Sequence, residues 1–302
     1  MDGKAITRRQ TSNVPDKLFD ILVKVIAIFS VVVVAYPLYF VVIASFSNSN
    51  LVNQGKVLFM IQDFNTYGYE QIFTDSRIWT GYRNTILYSL LGTLINLAVT
   101  LPAAYVLSRK GFKAIKVLMP LFVFTMYFSG GMIPSYLVMK ELHLLDTIWA
   151  MMIPSALSVY NLIITRSFME SSIPGELYES AQLDGCSHFT YFFKIILPLS
   201  KAVISVIFLY YMVGHWNDFF SGLLYLNKDE LQPLQIVLRN ILLSNQAFEG
   251  GSGAAGGGGY AQQFADQIKF AVIIVSTVPV LCIYPFIQKY FEKGVMIGAV
   301  KG

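Results

Sequence analysis

The chain has 302 residues, of which 55% are hydrophobic and 13% charged, with a net charge of +4. A soluble domain carries about 25% charged residues, so this balance excludes an ordinary soluble globular protein and points to one polytopic membrane domain. Two cysteines, Cys186 and Cys282, and three histidines, His143, His188 and His215, are too scattered for a disulfide framework or a metal site, and no metal ligand is assigned.

A helix needs roughly 20 apolar residues to cross the bilayer core. Six segments meet that length, at about 18–46, 84–108, 117–139, 148–168, 195–226 and 268–291. The first, which contains Val31-Val32-Val33-Val34, is longer than the roughly 7–15 apolar residues of a cleaved signal peptide. Lys4, Arg8, Arg9 and Lys17 cluster at its start, and Arg109, Lys110, Lys113 and Lys116 follow the second segment. Lys194 follows the fourth, and Lys289, Lys293 and Lys301 end the chain. With six spans all these cations fall on one side, which the positive-inside rule makes the cytoplasm. Asp63, Glu70, Asp75, Glu141, Asp229 and Glu230 fall on the other side.

Pro37, Pro102, Pro120, Gly130-Gly131, Pro134, Pro154, Pro279 and Pro285 interrupt the apolar runs. Such breaks suit a bundle with an internal pathway, and they are also common in membrane helices generally. The stretch Gly250 to Gly259 includes the spacing Gly251-x-Gly253-x-x-Gly256. No strand precedes it and it falls in an outside loop, so it reads as a flexible connection rather than a dinucleotide site.

The connection over 172–194 is long and not disordered in composition. Pro174 suits the start of a helix, and Glu176 and Glu179 suit the positive end of its dipole. Leu177, Tyr178 and Ala181 give an apolar stripe, and Asp184-Gly185 ends it with a residue free to adopt positive φ. Ser187 is placed to cap a second short helix, which leads through Phe189, Tyr191, Phe192 and Phe193 to Leu197-Pro198. This helix–turn–helix is either a compact plug that offers an acid and apolar knobs to a partner, or an interfacial amphipathic helix.

Polar and aromatic residues at membrane depth are the candidates for a translocation pathway: Asn96, Tyr210, Tyr211, His215, Trp216, Asn217 and Asp218. Trp216 to Asp218 can equally pack near the outer end of the fifth segment, and Asn96 can equally bond two helices together. The sequence carries no Walker A run, no His-Glu-x-x-His and no carboxylate cluster at membrane depth. It therefore reads as a non-catalytic chain with no cofactor of its own and no nucleic-acid partner. A channel or secondary transporter would leave the 172–194 element unexplained.

The run Glu179-Ser180-Ala181-Gln182-Leu183-Asp184-Gly185, with Ile195-Ile196-Leu197-Pro198 nine residues further on, resembles the EAA loop of ATP-binding-cassette (ABC) importer permeases. That pattern is Glu-Ala-Ala-x-x-x-Gly, nine residues, then Ile-x-Leu-Pro. Ser180 replaces its first alanine, and Lys201 stands where sugar permeases often carry proline. Trp216-Asn217-Asp218, Gln288 to Gly294 and Gly298 to Gly302 are similar to elements of the maltose-permease G-type subunit. Phe128 to Tyr136 and Pro233-Leu234-Gln235 resemble the LplC/YtcP-like branch, which is associated with oligosaccharides from complex polysaccharides.

The resemblance implies an all-α integral membrane fold, the type I ABC importer permease, with six transmembrane helices and a cytoplasmic coupling loop. It implies that the chain forms half of the pathway for a sugar, an oligosaccharide on the branch resemblance, while ATP and Mg sit on a separate ATPase. The coupling residues it implies are Glu179, Ala181, Asp184, Gly185, Leu197 and Pro198. Glu179 would pair with a basic group on the ATPase, Gly185 would allow the turn, and Ala181 would permit close approach. The implied partners are a second, different permease, two ATPase copies and an extracytoplasmic solute-binding protein, in the cytoplasmic (inner) membrane of a bacterium with both termini inside. A permease for another solute is the alternative within the family.

Overall fold

The computed structural model describes residues 14–109, 111–250, 268–283 and 285. Lys4, Arg8, Arg9, Lys110, the Gly-rich stretch 251–259, the end of the sixth expected segment and the carboxyl tail lie outside the described residues.

α1 is a long apolar helix over Val14–Ser45. Two short helices follow, α2 (Ser49–Asn53) and α3 (Tyr67–Thr74). α4, over Ser76–Ser108, is the central strut, and it starts eight residues before the expected second segment. Asp75 starts it, its carboxylate accepting from the Arg77 N–H at 2.9 Å. An acceptor here satisfies a first-turn donor that has no partner inside the helix. Gly81, Thr85, Ser89, Thr93, Asn96, Thr100 and Ala104 lie on the buried side of α4. Steps of three and four put small residues on one face, where neighbouring backbones can come close.

α5 (Ile115–Tyr127) and α6 (Met132–Glu141) occupy the third expected segment, but they meet at 112° instead of forming one helix. The cause is local: Gly131 takes φ +92°, and its N–H bonds to the Ser129 hydroxyl at 3.2 Å instead of a helical carbonyl. The fourth segment is corrected in the same way. A 3-10 turn, Ile148–Met151, is followed by irregular chain around Pro154, and only then by α7 (Val159–Ser172), which Ser158 caps. Proline removes a donor and discourages helical geometry in the residue before it, so the apolar run cannot be continuous helix there.

α8 (Glu176–Leu183) and α9 (His188–Tyr191) form the helix–turn–helix. A π-helical turn over Phe192–Ile196 joins α9 to α10 (Leu197–Leu199), and the chain bends by 81° before α11 (Lys201–Asn217). The fifth segment then breaks again at Asp218 before α12 (Phe220–Tyr225). α13 (Leu234–Gly250) is an apolar helix that the sequence did not reveal, and α14 covers Ile268–Ile283.

Among the described residues, two stretches, Lys17–Ser45 and Ser76–Ser108, are long and apolar enough to cross a membrane unbroken. The two bent pairs raise that number to four, and α13 and α14 are shorter apolar helices. α4 packs against α7, α11 and α13. Hydrogen bonds from its first half fix the loop before α13. The Asn84 amide donates to the carbonyls of Glu230 and Gln232, Tyr88 donates to the Leu231 carbonyl, and the Leu234 N–H donates to the Thr85 hydroxyl.

Candidate functional site

Two places carry the candidate residues. The first is the helix–turn–helix. Glu176 and Glu179 lie in the first turn of α8, where the helix dipole favours carboxylates. The end of α8 closes by a paired cap: the Cys186 N–H donates to the Ala181 carbonyl at 2.9 Å and the Gly185 N–H to the Gln182 carbonyl at 3.0 Å. This is the Schellman arrangement, and it needs its left-handed residue one past Asp184. Gly185 supplies it at φ +73°. Ser187 caps α9, accepting from the Thr190 N–H at 3.2 Å. The turn between the helices is thus fixed by a backbone cap on one side and a side-chain cap on the other.

Ala181 is buried, and its short side chain lets α8 lie against the cluster formed by Leu107, Tyr105, Tyr191 and Ile196. Glu179 and Asp184 are exposed. So are two apolar knobs, Leu183 at 90% and Phe189 at 79%. Exposed apolar residues beside a carboxylate form a surface suited to a protein partner. Leu197 and Pro198 lie in α10, Leu197 half-buried and Pro198 exposed, so they shape the bend into α11.

One residue here was missed by sequence reasoning. Arg109, the last cap of α4, places its guanidinium carbon 3.3 Å from the Tyr178 ring centroid and 5.8 Å from those of Tyr105 and Tyr191. Tyr178 also meets Tyr191 edge-on at 5.3 Å and stacks on His188 at 5.8 Å. Burial pushes the Tyr191 phenol above its ordinary value, against the pull of the Arg109 cation. In sequence Arg109 is one of several cations in a cytoplasmic loop, and nothing there tells that it faces an aromatic cage. A cavity of about 550 Å³ lies beside this cage, between the end of α4 and α8, lined by Arg109, Glu170, Glu176, Glu179 and Gln182 among others.

The second place is the seam of α4, α7 and α11. Asn96 is fully buried, and its amide donates to the Ser155 carbonyl. Its oxygen lies 2.7 Å from His215 Nε2. An amide oxygen only accepts, so this nitrogen carries the proton. Tyr211 shares a hydrogen bond of 2.8 Å with the Thr100 hydroxyl and accepts from the Ser158 N–H at 3.1 Å. Asn96, Tyr211 and His215 are thereby joined in one buried seam. Trp216 points elsewhere: its indole N–H donates to the Ser276 carbonyl at 3.0 Å, on the α14 side. Asn217 is exposed and bonds back to the Val213 carbonyl. Tyr210 and Asp218 line a cleft of about 320 Å³ beside the start of α7, together with Ser155, Ser158, Asn161 and Gly214.

A bundle of apolar helices above, with a rigid acid-bearing helix–turn–helix at one end of it, defines the membrane subunit of an ABC importer. Residues 78–297 match the family of binding-protein-dependent transport system inner membrane components, and the chain belongs to that family. It is 39% identical over 287 residues to the polygalacturonan/rhamnogalacturonan transport system permease protein YtcP of Bacillus subtilis (strain 168), covering 95% of this chain and 99% of that protein. It is 40% identical over 267 residues to protein LplC of the same organism, covering 88% and 89%. In structure it resembles a chain of a bacterial ABC transporter involved in the import of the acidic polysaccharide alginate. The TM-score is 0.81 with 29% identity, covering 92% of this chain and 98% of that one. The fold is that of a type I ABC importer permease. The chain is a multi-pass inner-membrane protein and a non-catalytic translocation subunit, which works with an ATPase and a binding protein.

Proposed function

We propose that this chain forms half of the translocation pathway of an oligosaccharide importer, in complex with a second, different permease and two ATPase copies that carry ATP and Mg. The sugar assignment is supported by relatives named as permeases for polygalacturonan/rhamnogalacturonan and for arabinooligosaccharides. The observation that carries the coupling role is the capped α8–α9 unit, with Glu179, Leu183 and Phe189 facing outward from a fixed turn. Glu179 meets a basic group of the ATPase, Ala181 and Gly185 hold the unit compact, Asp184 ends α8, and Leu197 and Pro198 carry its movement into α11. A packed element switches between arrangements instead of deforming, which suits transmission.

Tyr210, Asn217 and Asp218 line the pathway, while Asn96, Tyr211, His215 and Trp216 hold its wall in place. Six spans with both termini in the cytoplasm complete the arrangement. The assembly is tested by extracting the tagged chain from its native membrane in mild detergent and identifying what co-purifies. An ATPase with a second, different permease is the expected result. A complex of two copies of this chain with the ATPase would replace the two-permease reading, and uptake assays on the same material test the sugar.

A further inference from the structure

The cleft at the start of α7 has a chemical character of its own. Along α11 it lies near Gly214, thirteen residues from Lys201, which is ~20 Å at 1.5 Å per residue and so inside the bilayer core. Non-helical chain at that depth persists where it is buried or lines a cavity, and here it is the segment 152–158 that leads to α7. α7 begins in the cleft, and the first N–H groups of a helix have no partner inside it.

A second observation points to a ligand. Asn161 is 5% exposed, its side-chain amide has no hydrogen-bond partner among the described residues, and it lines the cleft. Asp218 spends one oxygen on the Ser221 N–H at 3.1 Å, and its other oxygen has no partner among the described residues. Tyr210 is 45% exposed and offers a ring face on the same wall. A Cβ at Gly214 would meet nothing within 4 Å, so the floor of the cleft is open.

Resting on the oligosaccharide reading above, we propose that this cleft is a subsite for one uncharged pyranose ring of the passing sugar. The ring stacks on Tyr210, a hydroxyl donates to Asp218, and the Asn161 amide bonds a neighbouring hydroxyl. The volume of about 320 Å³ lies at the small end of ligand sites and fits a single ring better than a longer segment. The lining contains one carboxylate, Asp218, no Lys or Arg, and one imidazole, His215, whose Nε2 is already committed to Asn96. A uronate ring would bring a second negative charge beside Asp218, and like charges held close together repel. This sets the chain apart from relatives whose names refer to acidic polysaccharides.

The test uses the complete importer, with its partner subunits and binding protein, in proteoliposomes. Maltotriose, xylotriose and trigalacturonate are each supplied at concentrations that saturate the binding protein, and ATP-dependent accumulation is measured. At least one neutral trisaccharide is expected to accumulate about tenfold faster than trigalacturonate. Gly214→Phe fills the cleft, on a helix position where the change from glycine favours helix. It is expected to cut accumulation about tenfold while the ATPase is still recovered with the chain. Asp218→Asn keeps the cap on Ser221, since asparagine also caps, but loses the charged acceptor, and is expected to raise the KM for the neutral sugar about tenfold. Trigalacturonate accumulating as fast as the neutral sugars would overturn the proposal, and so would wild-type transport in both variants. If no trisaccharide accumulates while a non-sugar solute does, the oligosaccharide reading itself fails and the subsite with it.

Discussion

At the residue scale, Gly92 and His215 show how tightly the central seam is built. A Cβ on Gly92 would sit 2.5 Å from His215 Nε2, well inside contact distance. The imidazole cannot retreat without giving up its bond to Asn96. Gly92→Ala is therefore expected to cost about 1–3 kcal/mol, the usual range for overpacking, and to lower the melting temperature in detergent. An unchanged melting temperature would mean that the seam is looser than this contact implies. Asp146 makes a different kind of contact, just beyond the ends of α6 and α12. It takes φ +56°, and its carboxylate accepts from the Asn227 N–H, the Asn227 amide and the Lys228 N–H. The backbone bond from Asn227, followed by the amide bond from the same residue, holds its carboxyl below the usual carboxylate range. A carboxyl depressed in the folded state stabilises fully above its unfolded value, about 3.9, and loses that contribution as pH falls through the lowered folded value. Asp146→Asn should lower the melting temperature at pH 7, and the gap from wild type should close in the most acidic buffers. A gap that stays constant with pH would count against the charged form as the stabilising one. Gly185 was legible from the sequence, because Asp-Gly after an amphipathic run signals its own turn. Gly92 and Asp146 were not, because their partners are His215 and Asn227, far along the chain.

At the scale of elements, α8 is held to α4 by the Arg109 cage. A guanidinium packed on a tyrosine face contributes about 0.5–2 kcal/mol, depending on how dry the site is. Because Arg109 ends α4 and Tyr178 belongs to α8, this contact joins the α8–α9 unit to the strut that touches α7, α11 and α13. Arg109→Gln is expected to leave the ATPase docked, since Glu179, Leu183 and Phe189 are exposed and none of them is part of the Arg109 cage. The ATP consumed per sugar transported should then rise several-fold. Lysine keeps the charge but lacks the flat stacking surface, so Arg109→Lys should restore coupling only in part. Loss of the ATPase from Arg109→Gln preparations would show that the cage shapes the docking face instead. The α8–α9 unit was readable because every one of its signals is local: caps, first-turn acids and a glycine stop. The third and fourth apolar segments were read as single helices because hydropathy averages over a window of about 19 residues. Such a window hardly registers the break at Gly131 or the irregular chain around Pro154. α13 escaped notice because its apolar part, Leu234–Leu243, is too short to read as a span.

At the scale of the whole molecule, the chain leaves much of its apolar surface uncovered by itself. No residue in the apolar window of α1 is buried, and the run Val31 to Val34 is more than half exposed. Such a surface is stable only against lipid or another apolar chain. What orients the bundle in that lipid is the uneven placement of cations, which the positive-inside rule counts over short loops near helix ends. Arg109 and Lys113 lie between α4 and α5, Lys116 lies at the start of α5, and Lys194 lies in the π-helical turn that leads to α10. These cations belong to the same end as the α8–α9 unit, since Arg109 stacks on Tyr178. Packing therefore gathers these cations and the α8–α9 unit at one end of the bundle, the end that the proposed topology places in the cytoplasm. Alkaline phosphatase fused after Gly302 should be inactive and green fluorescent protein at the same place fluorescent, because the first folds outside the cell and the second inside. Fusions after Gly253 should give the opposite pair. An active phosphatase at Gly302 with an inactive one at Gly253 would invert the bundle and put the α8–α9 unit outside, where no ATPase could reach it. Activity at both places would mean an odd number of crossings between Gly253 and Gly302 is wrong, and that α14 does not cross.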